Sequence, residues 1–158
     1  DRGAKLRIAD TRDEPAGLAE IEAAAKAQPA AKISYALGAA SLQANTLAGI
    51  DSLVLSPGLS PNASPVREFL SQAEAQGIEI IGEIELFARA LRDLKASRDY
   101  ACEVVAITGT NGKTTVTMMV RDMLETAGLT AVAAGNISPA ALSALMHAFD
   151  TDLSLIHI

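Results

Sequence analysis

The sequence predicts an α/β fold whose strands form parallel sheets. Short β-type runs alternate along the chain with longer segments of helical periodicity, the pattern of strand–helix–strand units. One run leads through a glycine-containing loop directly into a helix, which is typical of a phosphate-binding unit. The 158 residues suffice for about one domain of ordinary size and part of a second.

The elements can be placed from the spacing of apolar residues and from the residues that end helices. In the helix predicted over residues 65–76, Ser64 can act as the cap, Pro65 suits the first turn and Gly77 ends it. Apolar side chains at three-and-four spacing predict a second helix over residues 84–95 and a further helical run over residues 140–149. The six predicted strands cover residues 6–9, 33–37, 52–55, 78–81, 104–108 and 130–134.

Composition excludes several classes of function. Lys and Arg number 13 against 19 Asp and Glu, and this net charge of −6 disfavours a broad nucleic-acid-binding surface. Aromatic residues are only 3 %, too few for a base-stacking platform. No apolar run approaches the roughly 20 residues that span a bilayer. The single cysteine, Cys102, cannot form an internal disulfide, so we expect a cytoplasmic protein with no membrane insertion.

The chain divides into two expected domains and a tail. It begins at Asp1 without methionine and enters an apolar run at once, which suggests that part of a domain precedes it. The polar stretch 95–103 favours a boundary between domains at 1–97 and 98–152. Residues 153–158 resemble the translated end of a transposon used in sequencing libraries and are excluded as a non-native tail, with a truncated strand as the alternative. His157 therefore carries no functional weight, and His147 is expected to be a surface or packing residue.

The glycine loop after the fifth predicted strand carries the strongest chemical signal. Gly109 and Gly112 would let backbone N–H groups approach phosphate oxygens, and the helix that follows presents its positive dipole end. Lys113 adds a full charge, and the Thr114 hydroxyl is the usual type of ligand for the magnesium ion that bridges phosphates. Ile107 stands where the common motif has its first glycine, so this loop is a shortened form.

Three further segments follow predicted strands, where open α/β sheets place ligands. Asp10, with Thr11 and Arg12, ends the first strand, as in the second strand of a Rossmann-like unit, although a surface turn explains these residues equally well. Ser56-Pro57-Gly58 follows the third strand. Glu83 and Glu85 follow the fourth and have a simple explanation as acids in the first turn of a helix.

These segments together resemble one enzyme family. Residues 108–115 are similar to the ATP loop of the Mur ligases and of the related folylpolyglutamate synthetases, which are ADP-forming amide ligases. With residues 10–12, 56–58, 82–87 and 134–137 in matching order, the chain resembles the D-glutamate-adding Mur ligases of bacterial peptidoglycan synthesis over residues 4–150. Two departures are Glu83, where many relatives have Asp, and Ser138-Pro139, where many have Gly.

The resemblance implies a Rossmann-like domain for the UDP substrate, followed by the start of a P-loop domain that binds ATP and Mg²⁺. It implies UDP-N-acetylmuramoyl-L-alanine and D-glutamate as substrates, with phosphoryl transfer assisted by Lys113 and with Thr114 on the metal. The substrate's uracil end would meet Asp10 and Thr11, its phosphates Arg12 and Ser56-Pro57-Gly58, and its muramoyl end Asn136. The residues implied at ATP are Gly109, Thr110, Asn111, Gly112, Lys113, Thr114 and Thr115.

The same resemblance places the remaining magnesium ligands, the adenine pocket and the amino-acid domain beyond residue 152. We therefore expect this chain alone to be inactive, and the enzyme to be a monomer. The alternatives are a sister Mur ligase or folylpolyglutamate-type ligase, a dinucleotide-binding oxidoreductase, and a non-catalytic nucleotide-binding module. The loop around Lys113 counts against the oxidoreductase, which has no use for a γ-phosphate site.

Overall fold

Strands and helices alternate throughout the computed structural model, which describes residues 5–27, 32–98, 100, 102–150 and 155–157. The chain forms two compact units. The first combines Asp1–Leu53 with Gly58–Ile80, and the second combines Val54–Pro57 with Ile81–Ile158. Each unit has a hydrophobic core of its own.

The first unit begins with a strand–helix–strand crossover. Strand β1 (Lys5–Asp10) and strand β2 (Lys32–Leu37) run parallel, with Asp10 opposite Leu37 at their carboxyl ends. Helix α1 (Leu18–Ala27) connects them in sequence, because parallel neighbours need a crossover of about a dozen residues or more. Two short 3₁₀ helices follow, at Gly38–Ala40 and Ala44–Leu47. Asp10 therefore lies at the edge of the sheet where ligands bind in this type of fold.

A second strand pair is formed by β3 (Ser52–Leu55) and β4 (Glu79–Gly82). Between them lies helix α2 (Val66–Ala75). This helix ends where Gly77 adopts a φ of 73° and the next N–H, of Ile78, returns to the carbonyl of Ala73 at 3.0 Å, an ending that favours glycine. The core of the first unit consists of Leu47, Phe69, Ala73 and Ile78.

The second unit is a three-stranded parallel sheet with helices. Its strand order is β5–β7–β6. The elements, in chain order, are α3 (Glu83–Arg98), β5 (Glu103–Val105), α4 (Lys113–Thr126), β6 (Val132–Ala133), α5 (Ala141–Asp150) and β7 (Leu155–His157). Both α4 and α5 pack against strands of this sheet.

The core of the second unit lies between α3 and α5. Phe87 and Leu91, four residues apart on α3, pack with Ala141, Leu145 and Ala148 of α5. Small alanine side chains on α5 leave room for the larger side chains of α3, so that the two helices can pack closely. Tyr100 and Cys102 complete the buried cluster. Burial of Phe87 and Leu91 agrees with the apolar spacing that predicts α3.

The predicted α/β fold with parallel strands is confirmed, but two predicted strands are shorter than expected. The strand expected over 104–108 occupies Glu103–Val105, because its pairing with β7 ends at Val105. Its valines, Val104 and Val105, are 37 % and 39 % exposed, so this strand is only partly covered within the described part of the chain. Likewise, the strand expected over 130–134 is confined to Val132–Ala133, the two residues that pair with β7.

The helix ends also differ from prediction in two places. Pro65 occupies the N-cap position of α2 and no side chain caps the helix there, so the predicted cap by Ser64 is wrong. Instead, the Arg67 N–H in the first turn donates to the carbonyl of Ala63 at 2.9 Å, so a backbone oxygen of the preceding turn takes the place of a side-chain cap. Helix α3 continues to Arg98, so the polar stretch expected to link the domains is helical over residues 95–98.

Residues 155–157, part of the segment that the sequence assigns to a non-native tail, form the central strand of the three-stranded sheet. Backbone pairing is open to any short segment, because every residue except proline carries a donor and an acceptor. The non-native origin of residues 153–158 therefore stays a prediction.

Candidate functional site

The candidate site is the loop between β5 and the start of α4. Gly112 is the N-cap residue of α4 and adopts φ 75° and ψ 0°. This left-handed conformation costs a residue with a side chain about 1–2 kcal/mol. Residues 108–116 are all exposed. The glycine thus turns the chain sharply from the sheet into a helix whose first turn faces solvent.

The amides at the start of α4 form a ready anion site. The first helical hydrogen bond is donated by Val116 N–H to the carbonyl of Gly112 at 2.9 Å. The amides of Lys113, Thr114 and Thr115 therefore precede the helical ladder and have no acceptor within it. Together with the positive end of the helix dipole, such amides bind phosphate oxygens.

Lys113 brings a full positive charge to the same place. Its Nζ lies 2.6 Å from the carbonyl oxygen of Gly109 and 3.4 Å from that of Thr110. Among the described residues, no carboxylate forms an ion pair with it. The ammonium group is therefore held on the loop by two neutral carbonyls and keeps its charge available for an anionic ligand.

One buried hydroxyl supports this first turn. Thr117 Oγ1 donates a hydrogen bond to the carbonyl of Lys113 at 2.9 Å, and Thr117 is only 5 % exposed. Sequence reasoning missed this residue, although its spacing of four from Lys113 is the signal for such a bond within a helix. The side chain fixes the backbone from which Lys113 extends.

The residues present fit a magnesium ion only in part. The Thr114 hydroxyl is exposed next to the free amides, which is suitable for one oxygen ligand. Within the described ranges, no group of three or more His, Cys, Asp or Glu residues could hold a metal. Thr114 is therefore a candidate for one ligand of a metal that a bound polyphosphate would largely hold.

The first unit brings together two of the residues predicted to bind substrate. The Arg12 guanidinium donates to both carboxylate oxygens of Asp10, from Nε to Oδ1 at 2.9 Å and from Nη2 to Oδ2 at 2.7 Å. These hydrogen bonds, with one from the Arg12 amide, lower the pKa of Asp10 to about 2. The same pairing raises the pKa of Arg12. Asp10 is thus an ionised acceptor at neutral pH, and Thr11 lies exposed between the pair.

The other predicted substrate residues lie on separate loops. Ser56, Pro57 and Gly58 are exposed directly after β3. Asn136 is exposed after β6, in a loop that the Gly135 N–H closes by donating to the carbonyl of Pro139 at 3.0 Å. Each of these loops follows the carboxyl end of its strand, as in the ligand sites of open parallel sheets.

A long-range contact near the last of these loops was also missed by sequence reasoning. Glu83 Oε1 accepts a hydrogen bond from the Leu142 N–H at 3.1 Å, across 59 positions of sequence. The sequence explanation of Glu83 as an acid in the first turn of its own helix is correct about its position, since α3 begins there, but it does not reveal the partner.

His147 is exposed in the last turn of α5. None of the described helices is long and apolar enough to cross a bilayer.

Comparison with known proteins gives a consistent assignment for both units. Residues 1–82 match the family model of the Mur ligase MurD-like N-terminal domain, and residues 107–154 match that of the Mur ligase middle domain. The expected boundary at 97/98 lies between these matches and stays a prediction.

Several similar curated proteins are called UDP-N-acetylmuramoylalanine–D-glutamate ligase. The chain is 53 % identical to the protein of Bordetella parapertussis over 152 residues, 50 % to that of Bordetella avium over 151 and 45 % to that of Ralstonia nicotianae over 148. These alignments cover 96 %, 95 % and 94 % of this chain. The chain spans only 28–29 % of the length of those relatives.

Proposed function

Because the chain belongs to the Mur ligase family, with a MurD-like N-terminal domain, we propose that its protein is an ATP-dependent, ADP-forming ligase. The substrates proposed are UDP-N-acetylmuramoyl-L-alanine and D-glutamate, in peptidoglycan precursor synthesis. The observation that carries this proposal is the exposed loop before α4, where the Lys113 ammonium group lies next to the amides of the first helical turn, which have no acceptor within the helix. The cytoplasmic location and monomeric state expected from the sequence stay predictions.

The proposed reaction has two steps. The carboxylate of the alanyl group attacks the γ-phosphorus of ATP, and the bond between this phosphorus and the β-phosphate oxygen breaks. ADP departs, and the products of this step are ADP and an acyl phosphate. The D-glutamate amine then attacks the acyl carbon, phosphate leaves, and the amine loses a proton as the amide forms. The first step brings a carboxylate against a polyphosphate, so positive groups must offset the repulsion between them.

Lys113 and the first amides of α4 supply that positive field. When a polyphosphate binds, the ammonium group exchanges its contact with the Gly109 carbonyl, at 2.6 Å, for phosphate oxygens. Gly112 allows the backbone to turn there without a side chain. Mg²⁺, held in part by the Thr114 hydroxyl, would neutralise the outer phosphates. The remaining cofactor contacts proposed are Gly109, Thr110, Asn111 and Thr115.

The nucleotide-sugar substrate is proposed to bind at the carboxyl ends of the strands. Asp10 is an ionised carboxylate and accepts hydrogen bonds only, which suits the ring N–H of uracil, with Thr11 beside it. The exposed guanidinium of Arg12 is proposed to meet the phosphates of the substrate together with the loop of Ser56, Pro57 and Gly58. Asn136 is proposed to face the muramoyl end.

The test is amino-acid-dependent release of ADP by the product of the full reading frame that contains this chain. The assay includes ATP, Mg²⁺ and UDP-N-acetylmuramoyl-L-alanine, and it compares D-glutamate with L-lysine, meso-diaminopimelate and L-alanine. Turnover with D-glutamate alone supports the proposal. Turnover with another amino acid would assign the protein to a sister ligase, and ATP binding without any turnover would favour a sensing module.

The Lys113→Ala variant tests the role of the loop. Loss of one preorganised electrostatic group in a reaction of this type costs about 10²–10³-fold in rate. Lys95→Ala removes an exposed lysine of α3 and is the matched control, with turnover expected within about twofold of the unmodified protein, as for an ordinary surface position. Equal rates for both variants would show that the Lys113 charge takes no part in phosphoryl transfer.

A further inference from the structure

The contact between Glu83 and Leu142 joins the first turns of two helices. Glu83 is the first residue of α3, and Leu142 is the second residue of α5. The Glu83 carboxylate oxygen lies 3.1 Å from the Leu142 nitrogen, in a partly buried position. An N–H in the first turn of a helix has no acceptor within that helix, so Glu83 satisfies a donor that would otherwise lack a partner in the helix.

Neither the first turn of α5 nor the two residues directly before it supply a carboxylate that could do the same. Its first turn contains no acidic residue. Ala140, directly before it, has no side-chain oxygen, and Pro139 before that has no hydroxyl or carboxylate either. The carboxylate from α3 therefore supplies both the capping oxygen and the negative charge that the amino end of a helix favours.

Packing places Glu83 for this contact. Glu83, Phe87 and Leu91 are four residues apart along α3 and so lie on one face of the helix. Phe87 and Leu91 belong to the buried cluster that includes Ala141 and Leu145 of α5. The core thus holds the two helices side by side. The Glu83 hydrogen bond fixes the position of the first turn of α5 along the axis of α3.

The first turn of α5 in turn holds the loop that carries Asn136. The loop leaves the sheet at Ala134, which is 2 % exposed, and enters the helix at Ala141, which is 0 % exposed. Between these anchors, the Gly135 N–H donates to the Pro139 carbonyl at 3.0 Å. A shift at the start of α5 would therefore move Pro139, and with it the exposed Asn136.

We propose that Glu83 is a positioning residue, which holds the start of α5 and so sets the Asn136 loop for the muramoyl end of the substrate. The part of this inference that concerns the substrate rests on the proposed function. Glu83 itself touches neither substrate nor ATP in this role. Its loss should weaken the use of the nucleotide-sugar substrate and leave the use of ATP unchanged.

The test compares three variants in the full-length protein. Glu83→Ala removes the acceptor, whereas Glu83→Gln keeps an oxygen that can accept the Leu142 N–H. Glu85→Ala is the matched control, since Glu85 lies in the same turn but pairs with Arg89 at 2.7 Å. We expect Glu83→Ala to raise the KM for UDP-N-acetylmuramoyl-L-alanine about tenfold or more, as for the loss of other hydrogen bonds to charged groups. Glu83→Gln should bring this KM most of the way back to that of the unmodified protein, and Glu85→Ala should leave it unchanged. The KM for ATP should stay constant throughout.

A double variant checks that the effect passes through the loop. If Glu83 acts by placing Asn136, then Glu83→Ala should add little to the loss caused by Asn136→Ala, because coupled positions are not additive. Full additivity would overturn the proposal. So would an equal rise in both KM values, which indicates general destabilisation.

Hydrogen exchange separates this inference from the proposed function. In Glu83→Ala, but not in Glu83→Gln or Glu85→Ala, the amides of residues 135–142 should exchange faster with solvent. This result is expected even if the unmodified protein has no ligase activity, in which case only the substrate part of the inference fails. Unchanged exchange at Leu142 in Glu83→Ala would refute the positioning role outright.

Discussion

Replacing Gly112 with alanine tests whether the loop before α4 holds phosphate. A Cβ at this position would meet no atom within 4 Å, so the change costs stability only through the backbone φ of 75°. A left-handed residue costs about 1–2 kcal/mol, and the stiffer unfolded chain offsets about 0.4–1 kcal/mol of this. The free energy of unfolding of the second unit should therefore fall by about 1 kcal/mol.

The same helix offers a matched control at its other end. Gly128 has a φ of 80°, and a Cβ there would also meet nothing within 4 Å. Since α4 has 14 residues and is therefore about 21 Å long, Gly128 lies at the opposite end of the helix from Gly112. Gly128→Ala should therefore cost the same stability as Gly112→Ala, in the same unit, without approaching the loop.

Denaturant unfolding and calorimetric titration with Mg-ATP distinguish the two variants. Gly112→Ala places a methyl group in open space beside Lys113, where the phosphates are proposed to lie. We expect its affinity for ATP to fall about tenfold or more, which corresponds to about 1.4 kcal/mol, and that of Gly128→Ala to stay within about twofold. If both variants lose the same stability and both bind ATP as the unmodified protein does, the loop is not the phosphate site.

Two further predictions concern charge and packing. Because Asp10 has a pKa of about 2 against an ordinary 3.8, its pairing with Arg12 stabilises the fold above about pH 4 and is lost as the pH falls toward 2. Arg12→Ala should return the Asp10 pKa toward 3.8 in a carboxyl NMR titration, and an unchanged pKa would contradict the pairing. Leu145→Ala should cost about 2–5 kcal/mol in denaturant unfolding, since the side chain is 1 % exposed. Met146→Ala, at a position 63 % exposed, should stay within about 0.5 kcal/mol, and similar costs for both variants would contradict the described core.

The sequence predicts local features of this fold better than distant contacts. The turn into α4 depends on consecutive residues, so Gly112 and Lys113 indicate it without knowledge of the rest of the chain. The extent of β5 depends instead on how many residues its neighbour pairs, and for this reason the prediction beyond Val105 is wrong. The partner of Glu83 lies 59 positions away and follows only from the packing of α3 against α5.

The two parts of the proposed site therefore differ in what they require. The proposed phosphate loop, residues 109–115, is one contiguous segment, and its internal contacts, such as Lys113 to the Gly109 carbonyl, lie within a few positions of sequence. The residues proposed for the nucleotide-sugar substrate follow three different strands, β1, β3 and β6, so no single one of these segments forms that part. We therefore expect that a variant outside this segment can lose the ligase reaction and still bind a polyphosphate. For this reason, nucleotide binding and turnover should be measured separately in every variant.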